Sequence, residues 1–109
     1  MPTVFAVQEM PNHDISGAMK YGDIDVLMPF GSQIAFSTAP AVRRMRRKLQ
    51  NFGDKDFLLL AGDPVAIGMA CAIVAFYNSG RYSVLKWDRR EKLYIPIQID
   101  VTTKGESDE

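Results

Sequence analysis

The sequence is poor in the residues that build disulfides, metal centres and cofactor sites. Its 109 residues include one cysteine, Cys71, and one histidine, His13. A lone cysteine allows no intrachain disulfide, and one chain cannot supply a tetrahedral zinc site from this set. Phosphate-binding glycine loops and nucleophile motifs are also absent. We therefore expect no metal, no cofactor, no catalytic residue and no enzymatic activity, and we interpret Cys71, which stands among apolar neighbours, as a packing residue.

The chain has no net charge, yet its charges are unevenly distributed. Thirteen basic residues balance thirteen acidic ones. Residues 1–36 carry four acidic side chains and one lysine, whereas residues 37–53 carry five basic side chains and no acidic one. A local excess of positive charge attracts anions even where the charge of the whole chain is zero. The segment 37–53 is therefore a candidate for anion binding.

An uninterrupted hydrophobic run of membrane-spanning length is missing as well. Residues 57–77 contain one charged side chain and follow the basic cluster 43–48, an arrangement that resembles a spanning helix. The turn signature Gly62-Asp63-Pro64 interrupts the run, and the 14 residues that remain, 64–77, are fewer than the roughly 20 that a helix needs to span. The N-terminus also lacks a signal-peptide pattern. We expect a cytoplasmic protein without a membrane partner, and a membrane protein is the third hypothesis.

The clearest predicted helix covers residues 40–52. Ser37 or Thr38 is expected to cap it, Pro40 suits its first turn, and Gly53 is expected to end it in a left-handed conformation. Apolar residues fall on one stripe at spacings of 3, 4 and 3, namely Val42, Met45, Leu49 and Phe52. The helix should therefore rest this stripe on a core and present its arginines and lysine to solvent.

The rest of the chain is expected to form strands. Gly68 marks a bend in a long strand 64–77, Asn78-Ser79-Gly80 a hairpin turn, and Pro96 a sheet edge or a break. The predicted strands are Phe57–Ala61, 64–77, Arg81–Asp88 and a period-two segment that contains Ile95, Ile97, Ile99 and Val101, in which Pro96 marks either a sheet edge or a break into two short strands.

These elements predict a mainly β fold with one N-terminal-side helix: a small, strongly bent five-stranded barrel preceded by an α-helix. Residues 1–36 form an irregular extension with short strands, residues 37–101 the helix and barrel, and residues 102–109 an acidic flexible tail. A small open barrel leaves unpaired strand edges and surplus apolar surface. We therefore expect the chain to pair with itself, edge to edge, as a cyclic homo-oligomer.

A basic, capped helix followed by a bent five-stranded meander resembles the Sm/LSm family, which includes the Hfq-type RNA chaperones. The resemblance covers roughly residues 38–101. More narrowly, the chain looks like Sm-like proteins of marine metagenomic, cyanophage origin, which implies the cytoplasm of a host cell. The resemblance implies an SH3-like barrel, a ring of about five to eight copies, and binding of single-stranded RNA.

The resemblance also implies which residues touch RNA. The candidates are a helix patch at the rim and a hairpin that lines the pore, namely Arg43, Arg44, Arg46, Arg47, Tyr77, Asn78, Arg81 and Tyr82. Arginines contact phosphates and tyrosines stack on bases. The alternative interpretations are a solubilising helix face and a polar turn with half-buried tyrosines. The hairpin lacks the Asp and Met-Asn residues of the family motif, and Ile95-Pro96 replaces the basic second motif. A structural or assembly ring of a virion, without RNA binding, is therefore the alternative function.

Overall fold

Five strands form one open, mixed sheet, with α-helices on one face and a 3-10 helix on the other. The computed structural model describes residues 1–32 and 38–102. In chain order the elements are β1 (Thr3–Gln8), a 3-10 helix (Ser16–Tyr21), β2 (Asp23–Met28), α1 (Ala39–Leu49), β3 (Phe57–Leu59), α2 (Pro64–Tyr77), β4 (Arg81–Asp88) and β5 (Leu93–Asp100).

The strand order is β2-β1-β3-β4-β5. The first four of these strands are parallel to one another, and β5 pairs with β4 in antiparallel fashion. The sheet does not close, so the predicted barrel is wrong, and the mainly β prediction holds only for the presence of a five-stranded sheet. Parallel strands require crossover connections. The segment with the 3-10 helix connects β1 to β2, α1 connects β2 to β3, and α2 connects β3 to β4. The fold is therefore mixed α/β.

The largest difference from the sequence-based prediction lies at residues 64–77, which form α2 instead of a bent strand. Asp63 caps this helix, since its Oδ1 accepts a hydrogen bond from the Val65 N–H at 2.9 Å. Pro64 occupies the first turn, where a missing N–H costs nothing. A wholly apolar run has no period, so length and capping residues must decide between helix and strand. Fourteen residues behind an Asp-Pro cap favour the helix.

The predicted hairpin at Asn78-Ser79-Gly80 is consequently the connection between α2 and β4. Gly80 adopts the positive φ expected of a turn glycine, 85°, whereas Ser79 at 57°, and not Asn78 at −118°, is the second residue with an unusual backbone angle. The hairpin of this fold joins β4 and β5 instead. Strand Arg81–Asp88 was predicted with the observed bounds. Pro96 lies in the edge strand β5, one of its two predicted placements, and the other, a break into two short strands, is wrong because β5 pairs with β4 continuously over Leu93–Asp100.

The predicted basic helix is present as α1, but it ends three residues earlier than predicted. Met45, Leu49 and Phe52 are buried, as the stripe required. The helix ends at Leu49, before Gly53, and Gly53 does not have the positive φ that was expected of it. Thr38 is the N-cap residue but makes no side-chain capping bond, and Ser37 lies outside the described residues.

Each face of the sheet has its own core. Alternate residues of β1 point to opposite faces, so Phe5 and Val7 pack under α1 and α2, whereas Val4 and Ala6 pack with Tyr94 and the 3-10 helix. The predicted irregular extension therefore contributes the inner strand β1 and the edge strand β2. The predicted boundary at 36/37 lies outside the described residues, as does all of the acidic tail beyond residue 102.

Candidate nucleic-acid interface

The five basic residues of α1 point in three directions, because 3.6 residues per turn distribute consecutive side chains around the helix. Lys48 lies on the β2 side, where its Nζ donates to Asp25 Oδ1 at 2.8 Å and to the Val26 carbonyl at 3.3 Å. Arg46 lies on the α2 side. The remaining three side chains are exposed on the solvent side, and we term them the arginine face: Arg43, Arg44 and Arg47.

The arginine face carries uncompensated positive charge. In the described part of the chain, 1–32 and 38–102, no carboxylate lies within 4.0 Å of its guanidinium groups. The three charges occupy little more than one helical turn, and the first turn of α1 contains no acidic residue. Guanidinium groups bind phosphates bidentately, so this surface can hold a polyanion by charge alone.

A shallow groove of ≈ 270 Å³ separates α1 from the C-terminal half of α2. It is lined by Arg46, Ala72, Ile73, Phe76 and Tyr77. The Arg46 Nε–H donates to the Tyr77 hydroxyl at 3.4 Å, and the rings of Phe76 and Tyr77 meet edge to face with centroids 5.7 Å apart. The groove thus joins a cation to aromatic faces, which are the two components of single-strand binding sites.

The other predicted site residues lie apart from the arginine face. Arg81 and Tyr82 line a larger cleft of ≈ 620 Å³, formed because β3 pairs with β4 only from Ser83 onward. Arg81 Nε lies 3.9 Å from Asp100 Oδ2 at the rim of this cleft. Asn78 caps α2, since its side-chain amide and its backbone N–H both donate to the Val74 carbonyl.

Tyr82 is half-buried against α2, where it meets Cys71. Burial raises the pKa of the Cys71 thiol above its ordinary value, and a hydrogen bond with Tyr82 partly opposes that rise. Burial likewise raises the pKa of Tyr82, and the neighbouring thiol adds to the effect. Both groups are therefore neutral at pH 7, and Cys71 packs against the core as the sequence predicted.

No sequence motif predicted the switch point of the sheet, which lies between the ends of β1 and β3, where the chain changes the direction in which it adds strands. Open α/β sheets often bind ligands at this point. Here the Gln8 side chain fills it: its Oε1 accepts from the Asp63 N–H at 2.8 Å and its Nε2 donates to the Ser32 carbonyl at 3.0 Å. Gly62, at φ 108°, allows this approach, since a Cβ there would lie 2.3 Å from Gln8 Cβ.

Two further sequence-based expectations concern metals and membranes. Among the described residues, no group of three or more His, Cys, Asp or Glu side chains is arranged to hold a metal ion. The run 57–77 is divided between β3 and α2, and no helix within 1–32 and 38–102 has the length and apolarity to cross a bilayer.

Comparison with known families matches residues 2–101 to the phage Pam3 gp32-like proteins. The chain belongs to this family. The match includes every strand and helix described above, so both β1–β2 and the helix-rich part belong to the family unit. It supports the phage origin that the resemblance implied, whereas nothing in it indicates membership of the Sm/LSm family. No curated protein and no solved structure matches the chain.

Proposed function

We propose that this phage protein binds single-stranded nucleic acid, RNA above all, through the arginine face and without covalent chemistry. The observation that supports the proposal is the exposure of Arg43, Arg44 and Arg47 on one side of α1, with no carboxylate partner among the described residues. Lys48 takes no part, because Asp25 neutralises it. The site acts in the cytoplasm of the infected cell.

Tyr77 supplies the second component of the proposed site. It stands beside Arg46 at the end of the groove, where a base of a bound strand can stack on its ring. Tyr82 and Arg81 lie in the separate cleft and are assigned no contact in this proposal. Stacking requires an unpaired base, so the proposal favours single strands over duplexes.

The test is fluorescence anisotropy with short U-rich and A-rich RNAs at two salt concentrations. Replacing Arg43, Arg44 and Arg47 with Gln should lower the affinity for both RNAs by the same factor. It should also reduce the magnitude of the slope of log K against log salt by about 0.7 for each lost phosphate contact. Tyr77→Ala should cost about 1–3 kcal/mol with little change in slope, whereas Tyr77→Phe keeps the ring and should retain binding.

A matched control removes the same charge elsewhere. Lys86, Arg89 and Arg90 are three exposed basic residues near the β4–β5 turn, and their triple replacement with Gln should leave affinity and slope close to wild type. If the two triple variants lost equal affinity, binding would depend on the net charge of the protein, and the proposed site would be contradicted. Absence of binding by the wild-type protein at low salt would contradict RNA binding altogether.

A second candidate function is a structural or assembly role in the virion. The observation that favours it is the exposed apolar surface of α2, which includes Phe76 at 77% exposure. Monomeric soluble proteins rarely expose such surfaces. The ring by edge pairing stays a prediction: the barrel on which it rested is absent, although β2 and β5 leave two open edges in the described sheet.

A further inference from the structure

The outward surface of α2 is apolar along its whole length. None of its fourteen residues is charged, and only one side of the helix, with Ala66, Ala70 and Val74, is fully buried. On the opposite side Val65 is 52% exposed and Phe76 is 77% exposed. A helix that is apolar all round is normally covered all round. We term this side the outer face: Val65, Gly68, Ala72 and Phe76 are exposed on it, and the half-buried Met69 lies among them.

We infer that a second copy of the chain covers the outer face, with the two α2 helices antiparallel. Val65 and Phe76 lie at opposite ends of the face, about three turns apart. Antiparallel pairing therefore packs Phe76 of each copy on Val65 of the other, and Met69 of each on Ala72 of the other. Large side chains meet small ones throughout, as a self-complementary twofold interface requires.

Charges at the two ends of the helix favour the same arrangement. Arg46 lies beside Phe76 and Tyr77 at the C-terminal end of α2, and Asp63 stands at the N-terminal end. Antiparallel pairing brings Arg46 of each copy next to Asp63 of the other, whereas parallel pairing would place like charges at the same end. Opposite charges at a rim help to fix the orientation of partners.

The size of the face determines how strong the contact should be. A helix of fourteen residues is about 21 Å long, so the buried area falls at the small end of specific interfaces. The dimer should therefore be reversible and depend on concentration. Arg43, Arg44 and Arg47 lie on the solvent side of α1, so dimerisation leaves them exposed. Ala72 and Phe76 line both the outer face and the groove at Tyr77, so a second copy and a base stacked on Tyr77 compete for that end of α2.

Sedimentation equilibrium of the full chain, without nucleic acid, from about 5 to about 300 μM tests the inference over the range expected for a small interface. The mass should rise towards twice 12.2 kDa. Phe76→Glu should raise the dissociation constant more than about 100-fold, because two buried rings are lost. Arg46→Glu should raise it about fivefold, as expected of rim charges. Met19→Glu, at an exposed apolar residue beneath the opposite face of the sheet, should leave it unchanged.

Cysteine pairing tests the orientation. In a Cys71→Ser background, a mixture of Met69→Cys and Ala72→Cys chains should form mixed disulfides on mild oxidation, while each chain alone should cross-link poorly. Efficient cross-linking of each chain with itself would show parallel pairing and overturn the inference. A monomer at the highest concentration, a mass of five to eight copies, or a Phe76→Glu protein that still dimerises would overturn it as well.

Discussion

The Gln8 side chain connects segments of the molecule that are far apart in the sequence. It is 7% exposed and joins three segments: the end of β1, the loop after β2 through Pro29 and Ser32, and the cap of α2 through Asp63. Its side-chain amide bonds to the Asp63 N–H and to the Pro29 and Ser32 carbonyls, the backbone groups that would otherwise be available to a ligand at the switch point of the sheet. The sequence placed Gln8 in an irregular segment, where no local pattern indicates contacts made over more than fifty residues.

We expect Gln8→Ala to destabilise the protein by about 1–3 kcal/mol, because it leaves partly buried backbone groups without partners. Urea unfolding followed by circular dichroism measures the change. Gln98→Ala, which removes an exposed glutamine of β5, is the matched control and should alter the free energy of unfolding by less than about 0.5 kcal/mol. Equal effects of the two substitutions would contradict the bridging role of Gln8.

At the scale of elements, sequence patterns succeeded where a period was visible. The amphipathic stripe of α1 and the bounds of strand β4 were predicted, and so was the exposure of the α1 arginines to solvent. The apolar segment 64–77 has no period, so it was predicted as a bent strand among other strands, and the barrel prediction followed from that error. That error also placed Tyr77 and Tyr82 in one predicted site, whereas the helix–strand connection directs them into different cavities.

Gly68→Ala distinguishes the two interpretations of segment 64–77. In a bent strand, Gly68 would be needed for the bend, and alanine would destabilise the fold. In α2, where a Cβ at this position meets nothing within 4 Å, alanine should stabilise the chain by about 1 kcal/mol. Gly62→Ala should do the reverse, because of its positive φ and the approach of Gln8. Thermal unfolding of both variants provides the measurement, and a less stable Gly68→Ala protein would contradict the helix.

At the scale of the whole molecule, the structure places two kinds of surface on different helices: the arginine face on α1 and the outer face on α2. Three exposed arginines lie on the solvent side of α1, and α2 exposes the apolar side chains of Val65 and Phe76. The neutral total of thirteen basic and thirteen acidic residues hides this division. Both surfaces lie within residues 2–101, the part of the chain that matches the family. In the proposed dimer, Arg43, Arg44 and Arg47 stay accessible to a polyanion, whereas the groove at Tyr77 is covered.

The central claim, that the arginine face is where RNA binds, is tested most directly by following backbone amide signals in nuclear magnetic resonance spectra during titration with a short U-rich RNA at low salt. We predict that shifts concentrate at residues 43–47 and around Tyr77, and that the β4–β5 turn at Arg89 and Arg90 stays unchanged. Shifts confined to the cleft at residues 81–83 and 98–100, or no shifts at saturating RNA, would contradict the claim.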